Sequence, residues 1–262
     1  MTEIAGTLGA GKLLVFQPAT GDDAIALPVA LGLQRFWGRR LKEAGRPGMR
    51  FVAVGKLERL LDGGGADVTS DEVAVGDKLV LPFPHMTDDV EPARLISMYG
   101  ARWGLYSTFA LMGPRFHLTT RLFEVQDEAV RLLEEHAFDE ENIKLPHRLF
   151  EILVSTAMRT GVRTPWHDWS DCFTTNEEVA ALHYLAADGV CSMVEEGVRM
   201  TVADAFEPVI RAIAQSPTMV RGIEVVRELL RAFRENGVSD LAVARQLRRL
   251  RELGVRVDDL GE

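Results

Sequence analysis

Cysteine is scarce: Cys172 and Cys191 are the only two in 262 residues. Two thiols cannot complete a zinc site by themselves. They give no disulfide framework, and they fit a reducing compartment. Positive charge is also short. Lys and Arg total 30 against 39 Asp and Glu, a net charge of -9. General nucleic-acid binding relies on Lys and Arg neutralising phosphates, so this balance argues against it. No apolar run approaches about 18 residues, the length that crosses a bilayer, and no membrane span is expected. The first residues, MTEIAGTLGAGKLL, lack a basic region followed by a long apolar run. No signal peptide is expected, and the chain reads as cytoplasmic.

What is present is ordinary globular material. Hydrophobic content of 47% supports a real core, and 262 residues suit two modest domains. The clearest local pattern is Ala101 to Val125. Trp103, Leu105, Phe109 and Leu111 alternate with Gly104, Tyr106, Thr108 and Ala110. Phe116, Leu118 and Leu122 then alternate with His117, Thr119 and Arg121. A period of two puts one set on a core and the other towards water. Met112-Gly113-Pro114-Arg115 breaks the two runs, which predicts a hairpin of 102–111 and 115–125. A hairpin alone is marginal in water and needs further strands or covering helices.

The flanks supply them. Residues 1–11 are small and Gly-rich, a flexible lead. Lys12 to Phe16 suits a buried strand, Leu27 to Glu43 an amphipathic helix, and Met49 to Val54 a second strand. Strand, helix, strand in this order predicts a parallel βαβ unit. Leu57 to Leu61 reads as a short helix, Asp62 to Gly65 as a loop, and Val68 to Gly76 as a polar, mobile stretch. Leu79 to Phe83 reads as an edge strand or extended loop because of Pro82 and Pro84. Val90 to Tyr99 is a helix entering the hairpin, Ala129 to Phe138 a third strand, and Leu145 to Thr160 a covering helix. Gly161 to Phe173 marks a domain boundary. From Asn176 onward only helices are expected: Glu177 to Glu195, Val202 to Gln215, Met219 to Glu235 and Ser239 to Leu253. Thr201, Thr218 and Ser239 sit at N-cap positions, and Gly237 and Gly254 at helix ends. The fold class is therefore α/β, a mixed sheet with a βαβ unit and an antiparallel hairpin, followed by an all-helical C-terminal domain. The division is 12–165 and 174–262.

These segments carry a resemblance. KLLVFQPATGDDA, ALGLQRFWGRRL, MRFVAV, ARLISMYGARWGLYSTFALMGPRFHLTTRLFEV and EEHAFDEENIKLPHRLFEILVSTAMRTGV together resemble the TolB N-terminal-like domain over roughly residues 12 to 163. That domain occurs beside bacterial class III adenylate cyclases and TPR-containing regulators. Ala205, Ala212 and Pro217 fit the second helix of a TPR, although no second repeat is legible. The insertion around residues 56 to 80 departs from the family pattern, and no cyclase segment is present. The resemblance implies an interaction or regulatory module and carries no catalytic residues across.

The chemical candidates are few. Gly6 to Lys12 nearly matches GxxxxGK[ST], but a strand follows instead of a helix and Leu13 replaces the hydroxyl residue. It reads as a tail, and no cofactor is expected. Trp166-His167-Asp168-Trp169-Ser170-Asp171-Cys172 is the richest cluster. His167 with Asp171 or Cys172 would suit a metal or a nucleophile–base pair, but a single loop lacks convergent partners. The plain reading is a linker anchored by two tryptophans. His85 to Asp89 and the acidic run Asp139, Glu140 and Glu141 read as solvated loops and helix-start charge.

In the last two helices Arg227, Arg231, Arg234, Arg245, Arg248 and Arg249 form a candidate basic face for a protein partner. Val220, Ile223, Val226, Leu230 and Phe233 form one apolar stripe, and Leu241, Ala244, Leu247 and Leu250 another. Most of that area is expected inside the chain, and any uncovered remainder would be the docking site. The functional expectation is a non-enzymatic bacterial scaffold or adaptor whose tail binds another protein or a copy of itself. The competing expectation is a metal- or cysteine-dependent enzyme centred on His167 to Cys172.

Overall fold

The computed structural model of the chain describes residues 11–20, 26–44, 50–54, 57–59, 74–75, 78–80, 83, 85–86, 88–126, 129–173, 178–216, 219–238 and 240–256. The first strand, β1 (Lys12–Phe16), is followed by helix α1 (Ala26–Ala44) and strand β2 (Arg50–Val54). β1 and β2 pair in parallel, so the βαβ unit forms. Three short strands follow: β3 (Leu57–Arg59), β4 (Ala74–Val75) and β5 (Lys78–Val80). Helix α2 (Val90–Met98) leads into the hairpin of β6 (Trp103–Met112) and β7 (Arg115–Gln126), and β8 (Ala129–Glu141) lies beside it. The five-stranded sheet runs β2-β1-β6-β7-β8, parallel around β1 and antiparallel from β6 outward. Met112 opposes Arg115 across the turn, where Gly113 sits at φ 61°.

The period of two shows directly in the core. Leu105 faces Leu122, Phe109 faces Leu118 and Leu111 faces Phe116. These residues join Leu13, Val15 and the inner face of α1 under helix α3 (Leu145–Arg159). The opposite face differs from the sequence expectation. Tyr106 was expected towards water, yet it is 3% exposed among Phe16, Phe83, Ile96 and Phe123. Helix α2 and the Phe83 segment cover that side, and the Tyr106 hydroxyl accepts a hydrogen bond from Met86 N at 3.0 Å. Burial on both faces is common next to parallel pairing, and alternation alone does not reveal it.

Two further expectations change. Residues 57–59 form a strand against β5 rather than a helix. A run this short has no decisive period, and the ladder partner settles it. The acidic run Asp139–Glu141 ends β8 instead of forming a loop. Asp139 accepts from Arg115 at 2.8 Å, and Glu140 from Arg148 on α3 at 2.6 Å. The expected loop at 62–65 and most of 68–76 lie outside the described residues.

The C-terminal part comprises α4 (Glu178–Glu195), the two-residue strand β9 (Met200–Thr201), α5 (Val202–Gln215), α6 (Met219–Glu235) and α7 (Asp240–Glu252). β9 pairs with β4 from the insertion, an addition to the all-helical expectation. Thr201 caps α5 by accepting from Asp204 N at 3.1 Å, while Gly237 and Gly254 end α6 and α7 with φ of 73° and 87°. Thr218, Ser239 and Pro217 lie outside the described residues. Among the described residues no helix is long and apolar enough to cross a membrane.

Helix α4 belongs to two cores at once. Ala181 and Leu185 pack with the sheet, α1 and α3, whereas Ala180, Tyr184, Ala187 and Cys191 pack with α5 and α6. A helix apolar on most sides must be covered on most sides. Its crossing with α1 brings backbones together at Gly32 and Gly189. A Cβ at Gly32 would lie 1.8 Å from Leu185 O, and one at Gly189 would lie 1.8 Å from Pro28 O.

Candidate docking cleft

Along one side of α4, Leu182, Ala186, Val190 and Met193 recur every three to four residues, a stripe about 16 Å long. Pro28 and Val29 at the start of α1, with Leu111 near the end of β6, form one wall. Met200 of β9 and Pro208 of α5 form the other. The open cleft has a volume of about 580 Å³ and a mostly apolar lining. That size falls within the range of pockets and grooves that take ligands or anchor side chains. Two methionines, Met193 on the floor and Met200 on a wall, make the lining adaptable.

The rim is polar. His183, Asp204, Glu207 and Arg211 border the cleft. Burial, with Arg211 adding to it, holds the His183 imidazole below its ordinary range. Glu207 accepts from Arg211 at 2.9 Å and from Arg249 of α7 at 3.1 Å. These two guanidinium groups hold its carboxyl below the usual carboxylate range. Asp204 accepts from the Thr201 hydroxyl at 2.8 Å and has no cationic partner among the described residues.

Of the arginines singled out from the sequence, Arg227, Arg231 and Arg234 lie exposed on α6, and Arg245 and Arg248 lie exposed on α7. Arg249 differs: it is half-buried and donates to Glu207 and Gln246. The α7 stripe is rotated at its start only: Leu247 and Leu250 pack inward as drawn. Val243, Gln246 and Leu250 are buried at 3%, 6% and 0%, while Leu241 is 86% exposed and Ala244 is exposed. Residues at 3.6 spacing allow two neighbouring stripes, and contact with α5 selects one of them. On α6 the expected Val226, Leu230 and Phe233 are buried as drawn.

A second polar feature joins the layers. Arg35 Nη1 donates to Glu195 Oε2 at 2.7 Å and to Ser192 Oγ at 3.0 Å, and its Nη2 donates to Glu228 Oε2 at 2.9 Å. Arg39 donates to the same Glu228 oxygen at 2.8 Å and to Asp188 at 3.3 Å. These contacts hold the Arg35 guanidinium firmly charged, and burial raises the Asp188 carboxyl. The clamp ties α1 to α4 and α6.

The loop from Trp166 to Cys172 is built as a cap. Asp168 Oδ1 accepts from Ser170 N at 2.7 Å, and Asp171 Oδ2 accepts from His167 N at 2.7 Å. Trp166 and Cys172 face the core, whereas His167 is exposed, so the pair proposed from sequence does not converge. Burial pushes the Cys172 thiol up to about 12. A thiolate nucleophile requires the opposite shift. The folded protein should therefore leave Cys172 unmodified by a maleimide probe, with full labelling only in denaturant. Rapid labelling of the native chain would show that this thiol is accessible and activated. Among the described residues no group of three or more His, Cys, Asp or Glu converges to hold a metal ion. Lys12, the last residue of the near-match to a phosphate loop, opens β1 and donates from Nζ to Tyr99 O at the end of α2 at 2.6 Å. Gly6 to Ala10 lie outside the described residues.

Comparisons with known proteins add little beyond this. No family model matches the chain, and no curated protein matches it. Among solved structures, a PelC dodecamer from Paraburkholderia phytofirmans is similar at 11% identity and a TM-score of 0.32, covering 62% of this chain and 96% of that one. Lipoprotein GNA1162 from Neisseria meningitidis is similar at 16% identity and a TM-score of 0.27, covering 57% of this chain and 94% of its own. The hypothetical protein CT253 from Chlamydia trachomatis is similar at 11% identity and a TM-score of 0.27, covering 57% of this chain and 96% of its own.

Proposed function

We propose that the protein is a non-enzymatic adaptor of a bacterial signalling or assembly system, and that its cleft along α4 receives an amphipathic helix. The observation that carries this reading is the cleft itself. It is an apolar strip three turns long between α1 and α5, with charged groups confined to the rim. Helix-in-groove recognition needs that arrangement, because anchors at i, i+4 and i+7 require a continuous apolar floor. The outward arginines of α6 and α7 would favour encounter with an acidic protein surface. Both cysteines are free and buried, which supports a reducing, cytoplasmic setting.

The test is a photoreactive phenylalanine analogue introduced in place of Met193, with a second chain labelled in place of Met158, which is 71% exposed on α3. Irradiation in lysate should give a discrete adduct only from the Met193 site, mapping to one helical segment of the captured protein. Indistinguishable products from both sites would remove the cleft as a docking site.

A further inference from the structure

We propose that the helix occupying this cleft is α7 of a second copy of the chain. This rests on the reading of the cleft as a docking site and names its occupant.

Three observations select α7. First, it is amphipathic twice over. Its inner face, Val243, Gln246 and Leu250, is buried on α5 and the neighbouring helices. Its outer face carries Leu241, the most exposed large apolar side chain among the described residues, then Ala244, Arg245 and Arg248. Leu241 to Arg248 spans about 10 Å along the axis, shorter than the strip that would receive it. An apolar head followed by cations matches a cleft with an apolar floor and the carboxylate of Asp204 at its edge.

Second, the outer face of α7 is cationic and the rim keeps one carboxylate, Asp204, without a cation among the described residues, whereas Glu207 is already held by Arg211 and Arg249. Arg245 and Arg248 make no ion pair among the described residues. Docking Leu241 on the floor beside Met193 places the arginines about one and two turns further along the strip. Opposite charges at a partly desolvated rim favour one orientation of the incoming helix.

Third, donor and acceptor lie side by side on one surface. Arg249 of α7 reaches Glu207, a cleft residue, at 3.1 Å within the same chain. Its own α7 therefore borders the cleft without filling it. Adjacent complementary patches are what a two-fold exchange needs, with each copy's α7 lying in the other's cleft. A two-fold pair closes, so the arrangement yields a dimer and not a filament.

The full-length chain, followed by sedimentation velocity across a concentration series, tests this. Wild type should show a monomer–dimer equilibrium. Leu241→Glu removes an exposed side chain, so its melting temperature should stay unchanged while dimer affinity falls roughly 10- to 100-fold, the loss of one buried leucine. Met193→Glu should weaken dimerisation similarly from the cleft side. Mixing the two variants restores one intact contact, between the cleft of the first and the α7 of the second, so the mixture should dimerise more than either alone. A wild-type chain that stays monomeric to its solubility limit overturns the proposal, as does a dimer insensitive to Leu241→Glu. A monomer that still yields a helical adduct of another protein from the Met193 site retains the docking reading and discards the second copy. A monomer with no such adduct discards both.

Discussion

Replacing Gly189 by alanine should destabilise the protein by roughly 3 kcal/mol or more, or leave it insoluble. The added Cβ would sit 1.8 Å from Pro28 O and 2.9 Å from Gly32 N. Both are helix backbone atoms, which cannot swing aside as a flexible side chain does. Relief requires the two helices to separate, and that opens the packing of Ala181 and Leu185 against the sheet core. The natural control lies on the same helix as Gly32. A Cβ at Gly38 meets nothing within 4 Å. Gly38→Ala should instead stabilise by roughly 0.5–1 kcal/mol, because alanine loses less backbone entropy in a helix. Urea denaturation of both variants measures the contrast. Equal effects would show that α1 and α4 do not cross as closely as described.

Removing the Arg35 guanidinium has the next largest expected effect. Arg35→Met keeps the aliphatic stem and leaves Glu195 and Glu228 facing Asp188 with only Arg39 to neutralise them. Breaking a buried ion pair by deleting one member costs about 3–5 kcal/mol. The Arg35 side chain is 14% exposed but Glu195 is 41% exposed, so roughly 3 kcal/mol is expected after screening. Arg35→Lys should recover only part of this, since an ammonium cannot hold two carboxylates with one planar fork. Loss should show both in denaturant midpoint and in easier proteolysis of the α4–α6 region. A change below roughly 0.5 kcal/mol, the size of a surface substitution, would mean that the clamp is dispensable.

The clamp also shows where sequence reading stops. Leu27 to Glu43 reads as an amphipathic helix, and in that helix Arg35 and Arg39 lie off the apolar stripe of Leu33, Phe36, Trp37 and Leu41. Their side faces α4 and α6, whose Glu195, Asp188 and Glu228 lie 149 to 193 positions away along the chain. Nothing local distinguishes an arginine that meets water from one that meets a distant carboxylate. The cleft was hidden for the same reason. Leu182, Ala186, Val190 and Met193 read simply as part of an apolar helix. Only the placement of α1, β6 and α5 around α4 decides which of its sides is covered and which stays open.

What the residues determined by themselves is local and periodic. The alternation of Trp103 to Leu111 and Phe116 to Leu122, broken at Gly113, suffices for the hairpin. The spacing of Leu33, Phe36, Trp37 and Leu41 suffices for α1. Thr201 and Gly237 mark helix ends through their own side-chain and backbone chemistry. Tertiary structure alone decided the burial of Tyr106 on the second face of the sheet, the strand character of 57–59, the rotation of α7 that exposes Leu241, and the meeting of Gly32 with Gly189. Each of these depends on a partner far away in sequence. A local pattern states that a face must be covered or left polar, but the element that covers it is chosen by the packing of the whole chain.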